Sequence, residues 1–524
     1  MRKNNKNRCL GRKKNKSKSP RGKVKNTKKA RESKDFNEFL SMSNMLFQSN
    51  SFTFQSLIEE FNLNELLEGY CKTELLKFFS GLCFNRKLQA NLVVLESIIH
   101  SLLILNTGHK LLNREIVNSL FDKLQSSHVG AMCDPSEDVM VGLINTSLGS
   151  FKVLEGLWES GSFYCQIFVD IVEKMPDSEP FSSLKRSVYS LLKISDYMVS
   201  KAGLQIFEIG SRDPIDDLSV LVIPNVEDIS NSSIIRSLDL DALGVNRCDI
   251  EYHILGSSDF DKIRDGRFGN SLLERKPIIE LQDESLLLAL PTSVTTAVRS
   301  LILEWLEDNK LLERFQNFFN SAWIYQFSQE LKILGQLKNA PFSALRNEIG
   351  TIVGAQCVVG VDDRRILQII LVFDDFKDHS FGFTHCRSLI DESSFISDSI
   401  KKAQSLRNSN KHFSRGLSLI VGCGWGRTML YDVGDNQAPA CWDIETVSGP
   451  DLVTLSKVSN MSLSNFWSLM NAQRKATESG VVTQNINEVK ITAKKKSKET
   501  KEINLEKVNI FPEIFIKRLS SVPI

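Results

Sequence analysis

The chain has 524 residues, 42% of them apolar and 24% charged. That length suits roughly two to four domains with sizeable cores, and the composition excludes a wholly disordered, collagen-like or disulfide-scaffold protein. The formal charge of +2 is a cancellation: residues 1–35 hold sixteen Lys and Arg against two acids, +14, which leaves −12 on the rest.

Residues 1–35 have almost no apolar side chains, so they cannot bury enough surface to offset chain entropy and are expected to form a disordered basic arm. From 36 to 203 the apolar residues recur at helical steps, as in Leu88, Leu92, Leu95, Ile99 and Leu102, and again in Leu184, Val188, Leu191 and Leu192. Breakers at Gly69, Gly81, Asn106–Gly108 and Asp134–Pro135 separate the runs. The last combines a cap, a first-turn proline and an early carboxylate, Glu137. An all-helical region is predicted over 36–203. Its longest apolar stretch, Leu88–Leu105, contains Gln89, Asn91, Glu96 and His100, so it reads as a buried helix and not a membrane span.

From 204 the runs shorten to strand length. Leu218–Ile223 and Tyr252–Leu255 are candidate strands, and Pro277–Leu281 with Leu286–Leu290 reads as a hairpin. Helices are expected from Pro291–Thr292 onward and over Leu311–Leu337. The strongest strands are Ile352–Val361 and Ile366–Phe373, joined by the polar turn Asp362-Asp363-Arg364-Arg365. Ser394–Leu406 reads as a helix, and Leu417–Val421 and Met429–Val433 as strands around a glycine loop. Pro450–Val458 and Leu463–Arg474 read as helices. The expected fold class is α+β: a helical N-terminal region, then a mixed-sheet α+β domain over 204–475. A polar linker over 476–507 and an apolar segment over 508–524 complete the chain.

The ten cysteines are widely spaced, with no CxC, CxxC or CxxxxC pair, and several lie in apolar runs. They read as reduced thiols in a cytoplasmic protein without a secretory signal. The arm suits polyanions, and Lys13, Lys14, Lys16, Lys18, Arg21, Lys23, Lys25, Lys28 and Lys29 are its candidate phosphate contacts. It lacks interleaved aromatics, so base stacking is not implied.

The stretch Asn4–Lys18, Asn-Asn-Lys-Asn-Arg-Cys-Leu-Gly-Arg-Lys-Lys-Asn-Lys-Ser-Lys, resembles the small zinc-binding motif at the C-terminal tail of the SecA translocase, also seen at the start of many bacterial proteins. That motif runs Asn, Cys-x-Cys-Gly-Ser-Gly-Lys-Lys-x-Lys, then Cys-His or Cys-Cys. Only Cys9 matches a ligand here, and tetrahedral zinc needs four. The resemblance therefore implies a metal-free relic.

The loop Val421-Gly422-Cys423-Gly424-Trp425-Gly426-Arg427 follows a strand, but a second strand and no Lys-Ser/Thr ending comes next. A tight β-connection is expected instead of a phosphate cradle, with Gly422, Gly424, Trp425 and Arg427 as a binding loop. A metal-dependent nuclease needs an Asp on one strand and Glu-x-Lys on the next. Asp362, Asp374, Asp443 and Glu445 are the candidate carboxylates, with Asp443 and Glu445 on one strand face; yet the relevant strand reads Leu367-Gln368-Ile369-Ile370, without the lysine. The seven histidines show no HxH, HxxxH or HExxH spacing. The preferred function is therefore non-catalytic binding or scaffolding, with the arm on nucleic acid or a ribonucleoprotein and with no cofactor, metal or membrane. The alternatives are a nuclease-like hydrolase, active or decayed, with its site in the 345–445 strands, and a pure protein–protein adaptor.

Overall fold

A computed structural model describes the backbone within residues 65–84, 92–118, 140–155, 161–204, 225–264, 271–329, 342–376, 400–423 and 442–471, with short gaps inside these spans. The first helix, α1 (Lys72–Leu82), buries Leu75, Leu76, Phe78, Phe79 and Leu82 at three- and four-residue steps. The second, α2 (Leu92–Ile104), is the apolar run expected over Leu88–Leu105; Leu95, Ile98, Ile99, Leu102 and Leu103 are buried. Its buried Glu96 accepts a hydrogen bond from Thr292 Oγ1 (2.7 Å).

The all-helical expectation for 36–203 needs correction. An antiparallel hairpin, β1 (Met140–Thr146) and β2 (Gly149–Glu155), sits inside it, with Thr146 opposite Gly149. The sequence hid it because the turn, Ser147-Leu148, lacks the usual Asn-Gly signal and Gly142 interrupts the alternation. Tertiary contacts hold the turn: Glu173 accepts from the Ser147 hydroxyl (2.8 Å) and the Tyr189 hydroxyl (3.0 Å). These acceptor and donor groups come from α3 (Gly161–Lys174) and α4 (Phe181–Lys201). The helix start expected at Asp134–Pro135 lies outside the described residues.

A short helix, α5 (Val226–Ser232), crosses α1 so closely that a Cβ on Gly81 would lie 2.0 Å from the Ile229 carbonyl oxygen. Four short strands follow: β3 (Ile234–Ile235), β4 (Ile254–Leu255), β5 (Ile278–Glu280) and β6 (Leu286–Leu288), ordered β3-β6-β5-β4. The expected hairpin is the β5–β6 pair. This sheet is apolar on both faces because it separates two cores. Ile234, Ile279 and Leu287 point to the core built from α1 and α2, while Ile235, Ile278, Leu286 and Leu288 point to the larger one.

The larger core draws on residues either side of 203 and 204, from Phe84 to Met470. At its centre lies α6 (Val294–Asp308), buried along most of its length after a short turn at Pro291–Ser293. Next comes α7 (Leu312–Gln329), whose Phe315, Phe319, Trp323 and Phe327 form one stripe at four-residue steps. Phe168 stacks on Phe315 and Phe319, with centroids 5.8 and 5.6 Å away.

The C-terminal sheet packs on α7. Its strands are β7 (Ser343–Arg346), β8 (Ile352–Gly360), β9 (Arg365–Val372), β10 (Arg415–Gly422) and β11 (Trp442–Ser448), ordered β11-β10-β9-β8-β7. The first three form an antiparallel meander, and β10 and β11 add in parallel. A helix, α8 (400–405), lies in the crossover before β10 and covers the outer face through Ala403, which packs with Ile366 and Trp442. The architecture is α+β with mixed sheets, as expected. The strands expected at Leu218–Ile223 and Met429–Val433 lie outside the described residues.

Candidate functional site in the C-terminal sheet

The middle strands are apolar except at a few positions, and those positions meet. Residues of a strand alternate between faces, so Gln356, Gln368, Ser418 and Trp442 all point to the α8 side. Trp442 Nε1–H donates to Ser418 Oγ (3.0 Å), Ser418 Oγ–H donates to Gln368 Oε1 (2.6 Å), and the Gln368 amide donates to Gln356 Oε1 (3.2 Å). Gln368, Ser418 and Trp442 are buried. The result is a one-way relay across four strands, each oxygen accepting from the strand beyond it. Such chains reinforce their members in a low-dielectric interior. The relay carries no formal charge. A divalent ion prefers charged oxygen donors, and both amide oxygens are already accepting.

The carboxylates predicted from sequence are elsewhere. Asp362 closes the β8–β9 turn by accepting from the backbone N–H of Arg364 (2.9 Å) and Arg365 (2.8 Å) and from Arg365 Nε (2.6 Å). The Arg365 guanidinium holds its carboxyl below the usual carboxylate range. Asp443 and Glu445 lie on the edge strand beside Leu417 and Leu419, on the face shared with the buried Val447. Asp374 lies outside the described residues. The eight residues of β9 span roughly 26 Å, and Asp362 sits at the turn before its first residue.

Of the glycine loop, Gly422 ends β10 in register with Val372 and Ser448. Its carbonyl accepts from the Tyr164 hydroxyl (3.4 Å), and Cys423 N–H donates to the Val372 carbonyl (2.8 Å). Gly424, Trp425 and Arg427 lie outside the described residues, as do the arm cations Lys13 to Lys29 and the motif-like Cys9. Burial pushes the Cys357 thiol up to about 12 and raises Cys83 and Cys165 as well, which disfavours thiolate chemistry. His100 and His253 are buried and pushed down to about 4 and about 3 by loss of hydration, hence neutral. Among the described residues no three His, Cys, Asp or Glu side chains cluster closely enough to hold a metal. No described helix is long and apolar enough to cross a membrane.

Sequence reasoning weighed Gln368 only for the lysine missing near it. The available signal was period: Gln356 and Gln368 are polar interruptions of strongly apolar strands, and Ser418 interrupts Leu417–Val421 in the same way.

The fold and this sheet define an α+β protein whose buried polar relay is neutral and built across four neighbouring strands of a mixed sheet. The chain belongs to the family described as anti-phage protein Upx-like, whose model matches residues 46–492, and its role is accordingly in phage defence. No curated protein and no solved structure matches it significantly. The matched span begins after the basic arm.

Proposed function

We propose that this protein serves phage defence by binding, with the arm over residues 1–35 contacting nucleic acid or a ribonucleoprotein and the α+β body acting as the scaffold. The observation that carries the reading is the neutral Gln356–Gln368–Ser418–Trp442 relay. It offers neutral amide and hydroxyl groups where a divalent-ion site would need charged oxygen donors. The charge division between a +14 arm and a −12 remainder supports a polyanion as the partner. Retention of the full chain on immobilised RNA is expected to fall steeply between about 50 and 200 mM salt. Removing residues 1–35 is expected to abolish it. Equal retention with and without the arm would sink the reading.

The second reading is a hydrolase of nuclease-like descent. One observation favours its decayed form: Gln356 and Gln368 sit side by side on adjacent strands, a pairing that carboxylates would turn into a cation site. Magnesium-dependent cleavage by the wild type that is lost in both Asp374→Ala and Asp443→Ala would restore an active enzyme. No cleavage in any of the three leaves the binding reading standing.

A further inference from the structure

Like charges stand side by side where the parallel strands begin. Arg365 of β9 is in register with Arg415 of β10. The Arg364 carbonyl accepts from the N–H groups of both Ser414 (2.8 Å) and Arg415 (3.1 Å), so three guanidinium side chains leave one small stretch of backbone. Like charges directly opposed on neighbouring strands destabilise a sheet. Arg365 is compensated: Asp362 takes its Nε, Ser464 Oγ accepts from its Nη2 (3.0 Å), and its plane lies 5.6 Å above the Trp467 ring. Arg364 and Arg415 are not. Both are exposed, and neither makes an ion pair or a side-chain hydrogen bond among the described residues.

The nearby acids do not relieve them. Asp362 is turned onto backbone N–H groups and Arg365, and Asp363 forms no ion pair with either arginine. Exposed Lys401 and Lys402 add cations at the same end, on the helix that packs through Ala403 against Ile366 and Trp442. The aromatic at this end, Phe413, is half-buried and lies 3.8 Å from a Cβ built on Gly360, so it is not offered for stacking on a base.

We propose that Arg364 and Arg415 are a fixed phosphodiester contact on the folded body, gripping the backbone of the nucleic acid that the arm captures. This rests on the nucleic-acid reading above. Charge alone neutralises phosphates without fixing where they lie; Arg415, held in the β9–β10 ladder, and Arg364, whose carbonyl is bonded to its backbone, add register and orientation. Free phosphate offers the same chemistry without the chain, and an acidic peptide offers carboxylates in its place.

The test uses full-length protein and fluorescence anisotropy with a short single-stranded RNA, a duplex DNA, inorganic phosphate as competitor, and an acidic peptide. Pairing Arg364→Gln with Arg415→Gln is expected to lower the slope of log K against log salt by about 1.4 on RNA and about 1.8 on duplex DNA, two phosphates' worth. Affinity should fall roughly tenfold near 0.15 M salt. The melting midpoint should hold or rise, because repulsion is relieved. An unchanged slope in the double variant, with wild type binding normally, overturns this inference and leaves the arm's role intact. Equal dependence of acidic-peptide binding on the two arginines, or displacement of RNA by millimolar phosphate in wild type alone, also overturns it. No binding by wild type at all overturns the nucleic-acid reading itself.

Discussion

A single methyl group at position 416 should disable the relay across the sheet. Gly416 lies beneath the indole of Trp442, and a Cβ there would sit 2.1 Å from Trp442 Cε3 and 2.2 Å from Cζ3. Ordinary contact begins near 3.4 Å, so in Gly416→Ala the ring must withdraw by more than an ångström. Trp442 is only 2% exposed and its Nε1 is 3.0 Å from Ser418 Oγ, so withdrawal both overpacks the α8 side and breaks the first link of the relay. Overpacking costs about 1–3 kcal/mol, and a buried polar group left unsatisfied about 1–3 kcal/mol more. A loss of roughly 2–6 kcal/mol should lower the melting midpoint by about 2–8 °C, given the unfolding entropy of a core this large. Faster hydrogen exchange should be confined to β10 and β11. In a Trp442→Leu background the clash partner is gone, and the same alanine should cost little. An equal cost in both backgrounds would refute the steric argument, and no cost in either would refute the packing of Trp442 on Gly416.

Two further outcomes concern pH. In Gln368→Glu the fully buried position would hold a carboxyl whose folded pKa is raised by burial. The folded state then binds the proton more tightly than the unfolded chain, so the variant should match wild type near pH 4 and lose roughly 3–5 kcal/mol as pH rises to 7; a pH-independent deficit in denaturant titrations would contradict this. Wild type should behave oppositely. His100 and His253 have folded pKa values depressed to about 4 and about 3, so below about 6.5 the unfolded chain takes up protons that the folded state refuses. Stability is full above that pH and falls towards pH 4, by about 3 kcal/mol for His100 alone. His100→Gln should flatten the melting-midpoint curve over that window, and an unaltered slope would show that the acid loss arises elsewhere.

Much of the fold could be read from local pattern. The β5–β6 hairpin, the helix after Pro291 and the β8–β9 pair with its Asp-Asp-Arg-Arg turn show in the sequence as apolar runs of strand length or as helical steps. The β1–β2 hairpin could not, because its turn is held by Glu173 and Tyr189, both remote in sequence. Of the candidate site, Asp362 was legible as a residue of the polar β8–β9 turn, but not the particular groups it accepts from, the Arg364 and Arg365 N–H groups and Arg365 Nε, since these are set by the turn's backbone geometry. The Upx-like assignment came from neither pattern nor fold but from the match over residues 46–492.

Composition alone determined the division between a cationic leader and an anionic remainder, since charge is additive and independent of conformation. The order of apolar residues along the chain determined the α+β class, because apolar period is a local property. Tertiary structure decided which residues meet. Strand order and register put Trp442, Ser418, Gln368 and Gln356 in one line and set Arg365 beside Arg415. Neighbours across a sheet are chosen by the pairing of whole strands, and no sequence window contains that information.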